Sequence, residues 1–292
     1  MSQNFRSTSS KLRPFGGNGE WSVGISRATC LEDLGRSENQ KLILDSKSLL
    51  NLNGFASADP FAIQVGRTWY LFFEMFIAGS PNAVIAVAES SDLENWEVLG
   101  VALCEAHHLS FPFVFEHNGD YYMMPESKGA RAVNLYRACD FPCRWRRVAT
   151  VLRGRYMDAS IVNYRNRFWL FSGWGSYSLR IFHSRSPLGP WIPHLMPLAR
   201  IYSKRSTRPG GKPVLIEDKL IRFAQDNTKF YGHQLRAMQV SCLNRIWYSE
   251  KPYSPEPILR PSGAGWNGSG MHHLDLHQLN DGQLLAFVDG CS

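Results

Sequence analysis

Three carboxylates stand where short apolar runs begin or end: Asp59 in ADPFAIQV, Asp158 in MDASIV, and Glu126 closing DYYMMPE. A strand with a two-residue period has no need of an acid at such a place, so their recurrence points to chemistry. Paired carboxylates suit glycosidic chemistry, where a protonated acid assists the leaving oxygen and an ionised base activates the incoming nucleophile. The two must differ in pKa, and burial beside aromatic rings raises one of them. Asp59, Glu126 and Asp158 are therefore the candidate catalytic residues.

Around them the sequence offers groups suited to holding a ligand. Arg208 and Lys212, with Lys204 nearby, are expected to bind an anionic portion. His108, Gln225, Asp226, Tyr231, His272, His273 and Asp275 are expected to complete the binding surface. His273 and Asp275 share one strand face, which suits a substrate hydroxyl; two ligands alone do not make a metal site. Neither a metal nor a cofactor is expected.

The elements that must position these residues repeat. SADPFAIQVGRTWYLFFE from Ser57, FPFVFEHNGDYYMMPE from Phe111, DASIVNYRNRFWLFSG from Asp158, KPVLIEDKLIRFAQD from Lys212 and HHLDLHQLNDGQLLAFVDG from His272 carry the same grammar. Each is a strand, a turn and a second strand, and each is followed by further strand-like segments. Units of several short strands recurring about every 50 residues predict a β-propeller, here all-β with five blades. Inner strands of such a fold line a central axis, which turns positions scattered along the chain into one ring. The last unit is short of strands, and EWSVGISRA (Glu20 to Ala28) is expected to complete its blade and close the ring. Trp96, Trp145, Trp191 and Trp247 recur once per unit and are expected to pack between blades. Residues 1–19, rich in Ser, Asn, Gly and Arg, read as a flexible arm, and residues 20–292 as one propeller.

The chain has 292 residues, 32 Lys or Arg against 25 Asp or Glu, and a formal net charge of +7. That balance favours an acidic partner or substrate. Basic and aromatic residues do not interleave in any nucleic-acid-binding motif, so no nucleic-acid partner is expected. Six cysteines form no paired framework, no apolar leader is present, and no window reaches the length of a membrane span. A cytoplasmic location with free thiols is expected.

The ordered set ADPF with WYLFFE, HHLSFPFVF with YYMMPE, LYRACDFP, SPLGPW, GGKPV, QD with YG, and GMHHLD resembles one known family. It is the propeller domain N-terminal to the transferase domain of plant glucosamine inositolphosphorylceramide transferases and their bacterial relatives. That domain is in turn similar to the five-bladed propellers of family 43 and family 32 glycoside hydrolases. The resemblance spans Trp21 to Asp289. It implies that Asp59 matches the hydrolase base or nucleophile, Glu126 the acid, and Asp158 a pKa-modulating carboxylate. Where a hydrolase often presents a second axial Asp, this chain has Ser110-Phe111-Pro112, so the hydrolase triad is not reproduced. The leading expectation is a carbohydrate-active enzyme acting on an anionic sugar or sugar-like small molecule. The alternatives are a cyclase, lyase or group transferase using the same funnel, and a non-catalytic glycan- or headgroup-binding module.

Overall fold

Runs of β-branched and aromatic residues, punctuated by Gly, Asn and Asp turns, make the chain almost entirely strand. The computed structural model describes residues 19–175, 178–196 and 203–292, so the arm expected over residues 1–19 lies outside the described residues except for Gly19. The chain enters with β1 (Trp21–Ala28) and β2 (Gln40–Leu44). Blade one follows as β3 (Gly54–Val65), β4 (Thr68–Ile77), β5 (Val84–Ser90) and β6 (Glu97–Leu103). Blade two is β7 (Ser110–His117), β8 (Asp120–Glu126), β9 (Ala132–Asp140) and β10 (Arg144–Arg153). Blade three is β11 (Tyr156–Asn163), β12 (Phe168–Trp174), β13 (Ser178–Ser184) and β14 (Ile192–Pro193). Blade four is β15 (Val214–Ile216), β16 (Lys219–Asp226), β17 (Gln234–Leu243) and β18 (Tyr248–Pro252). The chain ends with β19 (Leu274–Gln278) and β20 (Leu284–Cys291).

Blade five is assembled from both ends of the chain, in the order β19-β20-β1-β2. Trp21 to Ala28 pairs residue for residue with Cys291 to Leu284, so the expected closing strand is present. The sequence reading missed its companion: β2 adds a second N-terminal strand at the outer edge. The propeller is therefore closed two strands against two.

The core lies between blades, because both faces of each sheet are covered. In blade one, Phe61, Phe72, Ile85 and Val87 pack towards Phe113 and Met124 of blade two. The alternate residues Leu71, Phe73 and Ala86 pack towards Val23, Leu285 and Phe287 of blade five. That is the two-residue period of a strand with a blade on each side. Trp96 and Trp145 serve these seams, meeting Phe287 and Phe72 edge-on at 5.8 and 5.6 Å, and Trp191 packs against the same cluster as Phe72. Trp247 departs from the expectation: it is 57% exposed and seals no seam. No helix among the described residues is long and apolar enough to cross a membrane.

Candidate functional site at the mouth of the axis

The inner strands of the first three blades share one local deformation. Register slips between Ala58 and Phe61, between Ser110 and Phe113, and between Met157 and Ser160. Inside each slip sits one left-handed residue: Asp59 (φ 51°), Phe111 (φ 47°) and Asp158 (φ 52°). A bulge re-aims a side chain, and Asp tolerates the left-handed region. The sequence fragments ADPF, SFPF and MDAS are thus one motif, with Phe111 in the place of an aspartate. A phenylalanine there is strained, and its fully buried ring is what holds it, edge-on to Phe61 and His273 at 4.8 and 5.1 Å.

The second strands supply the other wall. Ala58 pairs with Glu74 and Ser110 with Glu126, which places both glutamates beside the bulges. The corresponding pairing in blade three brings Gly173 opposite Met157, so no acid projects there. In blade four Gln225 faces the axis: its Nε2 donates to Asp158 Oδ2 at 3.3 Å and to the Pro209 carbonyl at 2.9 Å. Its neighbour Asp226 points the other way. There it accepts from Thr228, Gln234 and Arg236, which hold its pKa down to about 2 against the effect of burial.

Two linked groups result. In the first, Asp158 accepts from Arg208 Nε at 2.5 Å and Nη2 at 3.3 Å, a two-point ion pair. Glu126 lies beside it. Burial raises the Glu126 pKa well above the ordinary range, and the charge of Asp158 adds to this while Arg208 opposes it. A carboxyl whose surroundings favour its protonated form therefore lies next to an ion-paired carboxylate.

The second group surrounds Asp59, whose backbone N–H donates to Asp289 Oδ2 at 3.2 Å. Asp289 also accepts the N–H groups of His272 and His273 at 3.0 Å each, and His272 Nδ1 lies 2.8 Å from its Oδ2. His272 Nε2 then faces Tyr231 Oη at 3.2 Å and Asp59 Oδ1 at 3.6 Å. Burial raises the Asp59 pKa well above normal, with His272 opposing. Burial opposes protonation of His272, but the charge of Asp289 keeps its pKa above the usual value. Glu74 Oε1 lies 2.8 Å from His108 Nε2, and His108 Nδ1 accepts the Ala83 N–H at 3.2 Å. Tyr231 joins the two groups, for the Arg208 guanidinium sits 4.9 Å from its ring centre.

His273 and Asp275 lie deeper. His273 Nε2 is 2.9 Å from the Pro60 carbonyl, and burial lowers its pKa to about 4. Asp275 is enclosed by Ala62 N–H, His277 Nε2 and Lys212 Nζ, each at 2.8 Å. Lys212 thus spends its charge on the scaffold, joining blades four, five and one, whereas Arg208 stands at the mouth with Asp59, Glu126, Asp158, Gln225, Tyr231, His272 and His108.

Asp59, His272 and Asp289 each present an atom within 4.8 Å of the others, a geometry open to a cation. Asp289 accepts three backbone N–H groups and pairs with His272, which anchors it between Asp59 and the start of β19. Asp289 is the functional residue that the sequence reading passed over. Its signal was present: VD after LLAF repeats the position of Glu74 after WYLFF and of Glu126 after YYMMP.

Fold and site together define a five-bladed β-propeller with a cluster of largely buried carboxylates gathered where its inner strands bulge. The chain belongs to the family described as glucosamine inositolphosphorylceramide transferase 1, N-terminal, whose model matches residues 39–291. It is 41% identical over 246 residues to glucosamine inositolphosphorylceramide transferase 1 of Arabidopsis thaliana, covering 80% of this chain and 32% of that protein. The chain thus spans about a third of the length of the curated relatives it matches. Among solved structures it is similar to the β-1,2-mannobiose phosphorylase of Listeria innocua, with a TM-score of 0.60 at 12% identity, covering 82% of this chain and 90% of that one. A family 117 glycoside hydrolase of Zobellia galactanivorans aligns with a TM-score of 0.56 at 14% identity, covering 80% and 84%. At these identities the structural likeness carries the fold alone.

Proposed function

We propose that this propeller is a carbohydrate-active enzyme that takes an anionic sugar or sugar-like headgroup into the mouth of the axis and acts on it by carboxylate acid/base catalysis. The observation that carries this reading is the placement of Glu126, opposite Ser110 at the blade-two bulge, beside the Asp158–Arg208 ion pair. Glu126 is the acid for a leaving oxygen. Asp59, met by His272 and His273 at 3.6 Å, is the base, its ionised form favoured by the charge of His272. Arg208 commits two N–H groups to Asp158 and has donors left for a phosphate, which makes it the anion-recognising residue. His272, fixed by Asp289, and Tyr231 orient the sugar hydroxyls. An inositol phosphate bearing a sugar, the chemistry in the name of the Arabidopsis relative, fits this set. Six free thiols agree with a reducing compartment such as the cytoplasm.

The test is turnover and binding of nucleotide sugars and sugar-bearing inositol phosphates by Asp59→Asn and Glu126→Gln. The expected outcome is binding within a few-fold of the parent and turnover reduced by about 100-fold or more, the usual worth of a positioned acid or base. Full activity in both variants rejects the assignment. A second reading has one observation in its favour: Phe111 occupies the place of an axial acid. A non-catalytic headgroup-binding module shows ligand binding but no turnover in the parent itself.

A further inference from the structure

Three chain segments come together on the mouth side of blades two and three. The turn from β8 to β9 carries Lys128 and Arg131, and the link from β10 to β11 carries Arg153 and Arg155, all four exposed. Gly154 N–H donates to the Arg131 carbonyl at 2.8 Å, and Arg153 pairs with Ala132, so these cations share one ledge. Arg131, Arg153 and Arg155 have no ion-pair partner among the described residues. Lys128 reaches inward, its Nζ 3.6 Å from Met157 Sδ beside Asp158.

An aromatic residue stands in the middle of the ledge. Trp174, at the end of β12, is 37% exposed, and its ring lies over Gly154. A Cβ on Gly154 would come within 2.8 Å of that ring, and φ at Gly154 is +141°, so glycine is required twice over. Arg180 flanks the same ring at 5.9 Å from its centre. The opposite end of the propeller is mixed: Asp92, Glu116, Asp140 and Asp281 are exposed on its turns together with Arg67 and Arg165.

We infer that this ledge is a docking surface for an anionic phospholipid bilayer, which brings the mouth of the axis to the membrane. The cations sit on the long, exposed side chains of two separate turns, and the cavity beside Trp174 is lined by Tyr156, Arg180 and His194 rather than by Arg131, Arg153 or Arg155, so these three suit a diffuse negative surface. Trp amid Arg is the side-chain pairing of a membrane–water interface, where the amphipathic ring sits at headgroup level. Each cation held within a Debye length of an anionic surface contributes roughly a fivefold gain in partition. The inference does not depend on what the axial site does.

Sedimentation of the full 292-residue chain with vesicles tests it, using phosphatidylcholine alone and phosphatidylcholine containing phosphatidylserine or phosphatidylinositol. The parent is expected to bind the anionic vesicles, not the neutral ones, and to be released as salt rises. The combined substitution Arg131→Gln, Arg153→Gln, Arg155→Gln is expected to weaken partition by roughly 100-fold, from about fivefold for each cation. Trp174→Ala is expected to weaken it several-fold with the salt dependence retained, whereas Arg67→Gln with Arg165→Gln at the far end leaves it unchanged. Equal binding to neutral vesicles, retention of the triple variant, or an equal loss from the far-end pair overturns the inference. So does a parent that ignores vesicles but binds an acidic protein or a soluble glycan through these residues.

Discussion

Glu126 owes its raised pKa first to burial and then to the charge of Asp158. Below the ordinary carboxylate range the folded and unfolded chains both hold this proton, and it has no effect on stability. As pH rises past that range the unfolded chain ionises while the folded one keeps the proton, so the group's contribution is lost progressively up to its raised folded value. Glutamine cannot ionise. The stability of Glu126→Gln minus that of the parent should therefore climb from pH 4.5 upward, by as much as about 1.4 kcal/mol per pH unit, and then level off. Urea unfolding at several pH values measures it, and a flat difference would show that Glu126 titrates normally. The residues carrying this electrostatic argument were partly legible. Asp59, Glu126 and Asp158 announce themselves as acids beside apolar runs, where the strand pattern has no use for them, although Asp59 and Asp158 fall inside their strands rather than at the ends. That Lys212 would be consumed by Asp275, and that Asp226 would face away from the axis while Gln225 faces it, depends on a one-residue register that only the ladder fixes.

The same distinction holds for the elements. Strands and turns were readable because aromatic and β-branched runs alternate with Gly, Asn and Asp. The bulges were not, because ADPF, SFPF and MDAS look alike only once their shared left-handed residue is seen. β2 escaped notice because QKLIL is short, half-exposed and set between short stretches of 3-10 helix. Its contribution is visible at Gly24, in the middle of β1. A Cβ there would approach Lys41 O to 2.7 Å and the Trp266 ring to 2.4 Å. A Cβ on Gly290 of β20 would come within 2.6 Å of the same ring, so Trp266 lies across two glycines of the closing blade. Gly24→Ala should therefore cost about 1–3 kcal/mol as an overpacking change, although alanine is the better strand former. The expected signature is a lower urea midpoint with an unchanged slope. A variant as stable as the parent would mean that blade five is not tightly closed.

At the scale of the whole molecule, the propeller has no intrinsic beginning: its termini meet, with Glu20 N–H on Ser292 Oγ at 3.0 Å and Ser292 N–H on the Glu20 carbonyl at 3.2 Å. What closes the ring is the eight-residue pairing of β1 with β20, and β20 is buried along its whole length. A chain beginning at Leu52 lacks β1 and β2, leaves that strand as an open apolar edge and uncovers the seam that Leu71 and Phe73 share with Val23. It should lose cooperative unfolding and aggregate. A permuted chain separates the loss of these strands from the loss of a particular chain order. Joining Ser292 to Glu20 through a short turn, and opening the chain between the exposed residues Pro255 and Glu256, makes blade five continuous in sequence. It also closes a short loop in place of a long one, at small entropic cost. This permutant should unfold in one transition close to that of the parent and keep the axial cluster of carboxylates intact. If it instead behaves like the truncated chain, closure depends on the order in which the strands are made. If the truncated chain unfolds like the parent, the two N-terminal strands are not what holds the ring.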